Sequence, residues 1–311
     1  MKQNYEMDDH GGHVEGMTSA VCPDCSTERV MLIGSIPATD VFAGRSLEHP
    51  LPGGSLYRCG QCCLGFRWPR PSKTELDEQY ASGNELTWTA EPHSRPDWRI
   101  ARAWVSESVD KGGRILDIGC FDGGFMEPLI KNYHCSGIEI HPVARERAQE
   151  RGLELIGSDF SAAVPGTFDC ITAFDVIEHM ESPKSFVENC LAALVAGGWL
   201  LVSTGNLDAF SFRLMGSRYW YCTIAEHISF VSPKWFSILA EDLGYQTVKQ
   251  AAFSHADASL LQHVQQSANN ILYRTSGSSF RLLRKLGIGG KDVKAHPELL
   301  DHPPRWGSAH D

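Results

Sequence analysis

Three groups of residues in this chain have types and spacings that could do chemistry. The first is Asp117-x-Gly119-x-x-x-Gly123, inside the stretch Arg114-Ile-Leu-Asp-Ile-Gly-Cys-Phe-Asp-Gly-Gly-Phe125. A short apolar run, Ile115–Ile118, leads into the glycines, and a helix-like run to Tyr133 leaves them. Strand, glycine turn, helix is how an α/β sheet presents backbone N–H groups to a ligand at its carboxyl edge. The next short strand, within Cys135–Ile140, carries Glu139 at its tip. An acid about twenty residues beyond such a loop can accept two hydrogen bonds from a ribose diol. The second group is Asp175, Glu178 and His179, with His227 further along. Imidazoles titrate near neutrality and suit proton removal. The third group is Cys22-Pro-Asp-Cys25 and Cys59-Gly-Gln-Cys62, two C-x-x-C knuckles that together supply four thiolates for a tetrahedral zinc.

The pattern of the chain supplies a frame for the first two groups. Asp97–Val109 has helical spacing, with Trp98, Ile100, Ala101, Trp104 and Val105 available to one face. Pro142 starts a helix to Arg151, closed by Gly152. Leu153–Ile156 reads as a third strand, followed by Asp159, and Cys170–Phe174 as a buried fourth strand with Asp175, Glu178 and His179 at its carboxyl end. Pro183 opens a helix through Leu194 that Gly197-Gly198 ends, and Trp199–Ser203 is a fifth strand. Alternation of strand and helix over this span predicts an α/β fold with a doubly wound, mostly parallel sheet. Thr204–His227 is long, aromatic and irregular, the kind of insert that makes a substrate pocket. Its Arg213 and Arg218 would suit a phosphate or carboxylate. Ser232 caps a further helix with Pro233 at its first position and Gly244 at its end, and Tyr245–Gln250 is expected as another strand.

The cysteine-rich segment is framed differently. Val30–Ile33 and Ser55–Arg58 read as strands around a Gly/Pro-rich loop, so a zinc ribbon with an enlarged loop is expected. A fragment of that size has too little core to fold unstapled, which makes the zinc structural. Cys63 is a fifth cysteine that could exchange with Cys62 or simply pack. Pro69 and Pro71 stiffen the connector, and Ser72 with Glu75 forms a capping box for a helix to Tyr80.

Composition bounds the rest. The 311 residues suffice for one large domain and a small one. A net charge of −10 argues against a nucleic-acid partner. No apolar run is long enough to span a bilayer, and the first twenty residues have no apolar core, so a cytoplasmic protein is expected. Of ten cysteines, five are clustered near the N-terminus and five are scattered among apolar residues, as expected of metal ligands and small core residues respectively. The expected organisation is a disordered tail (1–20), the zinc module and connector helix (21–80), a linker or lid (81–96), the ligand-binding domain (97–254, with its substrate insert at 204–232), and a C-terminal helical extension (255–311).

The glycine loop lacks the G-x-G-x-x-G of dinucleotide sites, because Phe121 stands where the second glycine belongs. What remains resembles the first motif of class I S-adenosylmethionine-dependent methyltransferases, from which Phe121 also departs. The string Phe-Asp-Val-Ile-Glu-His-Met180 resembles that family's fourth-strand motif, and Glu226-His-Ile-Ser-Phe-Val-Ser-Pro233 its lead into the last large helix. The paired knuckles, aromatic-Pro-Arg-Pro connector and Tyr-ended helix resemble the N-terminal module of many bacterial members. The resemblance implies a Rossmann-like, seven-stranded-type sheet and an S-adenosyl-L-methionine site built from Asp117, Gly119, Cys120, Phe121, Gly123, Glu139, Asp159 and Asp175. It implies His179 and His227 as catalytic candidates. It also implies structural Zn2+ on Cys22, Cys25, Cys59 and Cys62, and a small-molecule acceptor such as a sugar, nucleotide-linked sugar or secondary metabolite. The large additional domain of sugar C-methyltransferases is lacking, so transfer to oxygen is expected. Two alternatives stay open: metal-assisted O-methylation through Asp175, Glu178 and His179, and a non-catalytic scaffold that binds a partner through the zinc module. Oligomeric state has no signature in the sequence.

Overall fold

The computed structural model describes residues 20–42, 45–72, 74–76, 80, 95–160 and 163–252, together with 268, 271–272, 276, 279 and 282. The expected tail, most of the linker and nearly all of the C-terminal extension lie outside the described residues.

The chain opens with β1 (Val30–Ile36), a hairpin of β2 (Thr39–Phe42) and β3 (Arg45–Leu51), then β4 (Gly54–Cys59) and β5 (Gly65–Trp68). The hairpin occupies the loop read as merely Gly/Pro-rich, and β5 lies in a segment to which no strand was assigned. Ser72 and Glu75 form the expected box: the Ser72 amide donates to Glu75 Oε2 at 2.7 Å and the Glu75 amide to Ser72 Oγ at 3.3 Å.

The main sheet follows: α1 (Pro96–Ser108), β6 (Arg114–Ile118), β7 (His134–Ile138), α2 (Pro142–Glu150), β8 (Glu154–Gly157), β9 (Phe168–Phe174), α3 (Pro183–Ala193) and β10 (Leu194–Ser203). Among the described residues it has five strands in the order β10-β9-β6-β7-β8, all parallel. β6 and β9 are central and their apolar side chains are buried on both faces, as parallel strands under two helical layers require. Short helices α4 (Phe210–Met215) and α5 (Trp220–Thr223) fold the aromatic insert; β11 (Ser229–Phe230) and α6 (Pro233–Leu243) complete the described fold. Ser182 and Ser232 cap α3 and α6 through side-chain bonds, and Gly244 closes α6 at φ +74°.

Three expectations need correction. The run after the glycine loop is a series of turns with mixed i+3 and i+4 bonds. Pro128 has no N–H to give the Gly124 carbonyl, and Arg102 bonds the carbonyls of Gly124 and Phe125 instead, at 2.8 and 3.0 Å. The fourth-strand helix ends at Ala193, before Leu194. Leu194 pairs with Phe168, and the ladder resumes only at Trp199, with Gly197 turning at φ +80° inside the irregular strand. Tyr245–Gln250 has no regular structure, so this segment adds no strand to the five.

The cysteine module and the main sheet are joined. β1, β4 and β5 form an antiparallel sheet whose fourth member is β11, with Ser229 paired to Phe66 and Phe230 to Gly65. A Cβ on Gly65 would lie 2.7 Å from Leu207 Cδ2 and 3.2 Å from Phe230 Cβ, so glycine here leaves room for Leu207 and for the approach of β11. One apolar cluster includes Cys22, Cys59, Leu64 and Phe66 alongside Leu116, Ile118, Ile171 and Trp235. Asp24, inside the first knuckle, accepts bonds from Trp235 Nε1 (2.9 Å), the Lys184 amide (3.1 Å) and Ser182 Oγ (3.2 Å), bracing the start of α3. No helix among the described residues is long and apolar enough to cross a membrane.

Candidate active site

Strand order reverses between β6 and β9, and the crevice at their carboxyl ends is where an open α/β sheet holds ligands. The glycine loop leaves one side of it and Asp175 leaves the other. Gly119 has φ +68°, and a Cβ there would meet Val176 Cγ2 at 2.7 Å, so conformation and space both demand glycine. Phe121 adopts the same left-handed region, φ +44°, and is half-buried. Three of the loop's N–H groups, expected to face a ligand, are instead used within the protein. Those of Gly119 and Cys120 donate to the Ile138 carbonyl (2.9 and 3.1 Å), and that of Phe121 donates to Glu139 Oε2 (2.9 Å). A site without these donors suits a cationic amino-acid ligand better than a pyrophosphate.

Glu139 is held from both sides, its second oxygen accepting the His141 amide at 2.7 Å. A carboxylate has about four acceptor sites, and with the Ile140 amide also drawn to it about one remains for a ribose hydroxyl. Burial raises its pKa, against the pull of those backbone bonds. Asp117 lies beneath the loop, pushed up to about 7 by burial while Thr172 Oγ1 donates to it at 2.6 Å. The Cys120 side chain packs in the core with Phe125 and Leu153, leaving only its backbone near the crevice. Gly123 turns at φ +77° against Ala148. Asp159 is exposed just beyond β8.

On the other side of the crevice a second group converges. Asp175, at φ +53°, pairs with Arg95 at 2.6 Å, and the same guanidinium holds buried Asp97 at 2.6 Å. Glu178 is 1% exposed and accepts from Tyr221 Oη (2.7 Å) and Thr204 Oγ1 (3.0 Å). Burial, then the charge of Asp175, lifts its pKa to about 8. His179 and His227 face each other with ring centroids 5.0 Å apart. His227 Nδ1 lies 2.9 Å from the Tyr221 carbonyl, and His179 Nδ1 lies 3.0 Å from that of Glu226 and 2.6 Å from Tyr80 Oη. Carbonyls only accept, so partner chemistry assigns the proton to Nδ1 in His227 and leaves its Nε2 a lone pair, whereas His179 is drawn to two carbonyls, those of Glu226 and Asp175, with Tyr80 Oη also at its Nδ1. Burial lowers both imidazole pKa values, His227 furthest because His179 is beside it. The metal-capable set is therefore Glu178, His179 and His227, whose ligand atoms lie within 4.8 Å of one another. Asp175, included in the set drawn from sequence, is not a member of it.

The four knuckle cysteines also converge. Sγ atoms of Cys22 and Cys62, Cys25 and Cys59, and Cys25 and Cys62 are 3.6, 3.5 and 3.8 Å apart. A tetrahedral zinc with bonds of about 2.3 Å needs sulfurs about 3.8 Å apart, so the donor set fits the ion. Cys59 Sγ accepts the amides of Gln61 and Cys62 at 3.3 and 3.4 Å, as a thiolate would. The hydrogen bond between Cys22 and Cys62 lowers the pKa of the first thiol and raises that of the second. Cys63 is buried at φ +65° and stands outside the set.

Several contributors escaped the sequence reading. Arg95, Thr204 and Tyr80 come from a linker, a strand end and a connector helix, and nothing in their spacing marks them. Arg70 lies between two prolines in a rigid connector, which was a usable signal.

A methyltransferase-domain family model matches residues 93–250. The ubiquinone biosynthesis O-methyltransferase of Thiobacillus denitrificans is 30% identical over 161 residues, covering 46% of this chain and 69% of that protein. The protein of the same name in Xylella fastidiosa strain M23 is 33% identical over 163 residues, covering 47% and 66%. That of Paraburkholderia xenovorans matches over 57% of its own length, at 29% identity and 39% of this chain. A solved S-adenosylmethionine-dependent methyltransferase from Archaeoglobus fulgidus aligns over 65% of this chain and 93% of its own, at 16% identity and a TM-score of 0.39. The cysteine module precedes the matched region. On the family match and the relatives' identity, the chain belongs to the class I S-adenosylmethionine-dependent methyltransferases.

Proposed function

We propose that the enzyme methylates a hydroxyl oxygen of a small-molecule acceptor, with His179 as general base and His227 as its partner across the pocket. The observation that carries this reading is the pair of adjacent buried imidazoles, ring centroids 5.0 Å apart, each with its Nδ1 anchored against a backbone carbonyl. Bound S-adenosyl-L-methionine would supply an activated methyl group on its sulfonium. Glu139 and the Gly119–Gly123 loop, with Asp117 beneath it, would hold the adenosine end, Cys120 and Phe121 lining it through their backbone and Asp159 reaching its far side. Asp175 and Arg95 would border the methionine end. Alignment of acceptor and methyl group provides most of the rate, and proton removal by His179 completes the step. The lowered imidazole pKa values keep both rings neutral at physiological pH, the form a base needs.

The acceptor proposed from sequence is a sugar, nucleotide-linked sugar or secondary metabolite, and exposed Arg213 and Arg218 in the insert support an anionic group on it. The relatives named for ubiquinone biosynthesis make hydroxylated aromatics the second class to test. Labelled-donor screening of both classes decides between them. With a turned-over acceptor, His179→Gln should cut kcat by about 10²–10⁴-fold and leave donor affinity unchanged; turnover within a few-fold of wild type would overturn the base assignment.

A second reading is metal-assisted transfer, favoured by the convergence of Glu178, His179 and His227. Chelator-sensitive turnover restored by magnesium would support it, and chelator-insensitive turnover would remove it. The same proposal keeps residues 21–80 as a module stapled by structural zinc, and 97–254 as the donor-binding domain.

A further inference from the structure

The cysteine module reaches the imidazole pair through three side chains that the reaction does not itself use. Arg67, on β5, is 8% exposed and sends its guanidinium into the loop before His227, donating to the carbonyls of Ala225 (3.2 Å), Cys222 (3.3 Å) and Ile224 (3.3 Å). Arg70, two residues beyond β5, donates to the carbonyl of Ile228 at 2.8 Å, immediately after His227. It also reaches the carbonyls of Met180 (3.1 Å) and Glu181 (2.8 Å), immediately after His179. One guanidinium therefore ties together the two backbone segments that carry the two rings. Between them the Ile228 amide donates to the Glu178 carbonyl at 2.9 Å. Tyr80, at the end of the connector, sets its hydroxyl 2.6 Å from His179 Nδ1. Its ring packs edge-on against Phe42 of the β2–β3 hairpin, 5.3 Å between centroids.

These contacts begin at the metal-capable knuckles. β4 ends at Cys59, and β5 starts three residues after Cys62, so the second knuckle sets the register of the strand that carries Arg67. Asp24, between Cys22 and Cys25, braces the start of α3, which begins four residues after His179. Loading the four thiolates with a dication would fix both knuckles, and with them the donors aimed at the imidazole segments.

We propose that Arg67, Arg70 and Tyr80 are positioning residues of the His179–His227 pair, and that occupancy of the Cys22/Cys25/Cys59/Cys62 cluster by zinc is transmitted through them to the geometry of the two rings. The proposal rests on the reading of these histidines as the acceptor-side pair. It makes the module part of the catalytic apparatus and makes zinc content a control on it. Tyr80 holds the His179 ring through the hydrogen bond between its hydroxyl and Nδ1, and Arg70 fixes the separation of the rings. The charged and titratable groups facing the pair are Glu178, Glu226, Asp175, Tyr80, Tyr221 and Arg67.

The test reads the rings directly, without an acceptor substrate. Long-range nitrogen–proton spectra of histidine-labelled, zinc-loaded protein report which ring nitrogen carries the proton; His179→Gln and His227→Gln assign the signals. We expect His227 as the Nδ1-protonated form in wild type, and a His179 tautomer that depends on Tyr80. Tyr80→Phe should shift the His179 nitrogens while zinc stays at one per chain and His227 keeps its form. Arg70→Gln should broaden or split both sets of signals. Removing zinc from wild-type protein should reproduce the Arg70→Gln pattern. Superimposable imidazole signals in wild type, Tyr80→Phe and Arg70→Gln, all zinc-loaded, would overturn the proposal, and this comparison decides it even if zinc-free protein unfolds. S-adenosyl-L-methionine calorimetry on the same samples tests donor binding separately: shifted imidazoles without donor uptake would uphold the coupling and count against the enzymatic reading alone.

Discussion

Glu178 carries a measurable consequence for stability. Its carboxyl is 1% exposed, and its side-chain partners are two hydroxyls, those of Tyr221 and Thr204. Burial raises it from its ordinary 4.5 to about 8 in the folded protein. Over that interval the folded chain holds a proton that the unfolded chain has released, so its contribution is fully present below about pH 4.5 and is lost as pH rises through 8. The displacement corresponds to on the order of 5 kcal/mol between the two extremes. Glu178→Gln keeps the shape and can still accept one hydroxyl proton, but cannot ionise. Urea denaturation of zinc-loaded, donor-free protein at pH 5, 6.5 and 8.5 should show wild type losing stability relative to the variant, by several kcal/mol across the series. Parallel curves, with the difference between the proteins constant to about 1 kcal/mol, the error of such extrapolations, would show that Glu178 is ionised throughout and refute the burial argument.

Three further outcomes are expected. Gly119→Ala forces a Cβ to within 2.7 Å of Val176 Cγ2 at φ +68°, with a left-handed penalty of about 1–2 kcal/mol; calorimetry should show donor affinity reduced at least about tenfold. Glu139→Ala should weaken donor binding by about 1–3 kcal/mol, the worth of hydrogen bonds to a charged group, and also frees the amides of Phe121 and His141; an unchanged affinity would exclude a ribose role. Cys59→Ser removes the thiolate that two amides support; zinc content should fall far below one per chain and thermal unfolding should begin earlier, whereas full retention of metal would place the ion elsewhere.

The strand-loop-strand core was legible because its signals are local. Ile115–Ile118, Cys170–Phe174 and the Pro-initiated helices each carry their own periodicity and punctuation, and the parallel sheet follows from their alternation. The four cysteines were legible from spacing alone, and the structure brings their sulfurs together. What the sequence hid depends on distant partners. β11 is two residues long and is a strand only because β5 lies beside it. The exclusion of Asp175 from the histidine cluster follows from Arg95, eighty residues away in sequence. The irregular run after Gly123 was marked by Pro128, but only the Arg102 guanidinium shows how its bereft carbonyls are satisfied.

The pairing of β5 with β11 also has a temporal meaning. Arg67 and its carbonyl partners are 155 to 158 positions apart along the chain. During synthesis, β5 leaves the ribosome before β11 and therefore waits with an open strand edge until the five described strands of the main sheet have emerged. Until Phe230 arrives, the flank of Phe66 has only solvent or another polypeptide to meet, and an unpaired edge of that kind invites intermolecular pairing. A fragment cut to begin at Pro96 would carry the complementary defect permanently, its Ser229–Phe230 edge bare, and should be recovered as aggregate more readily than the full-length chain.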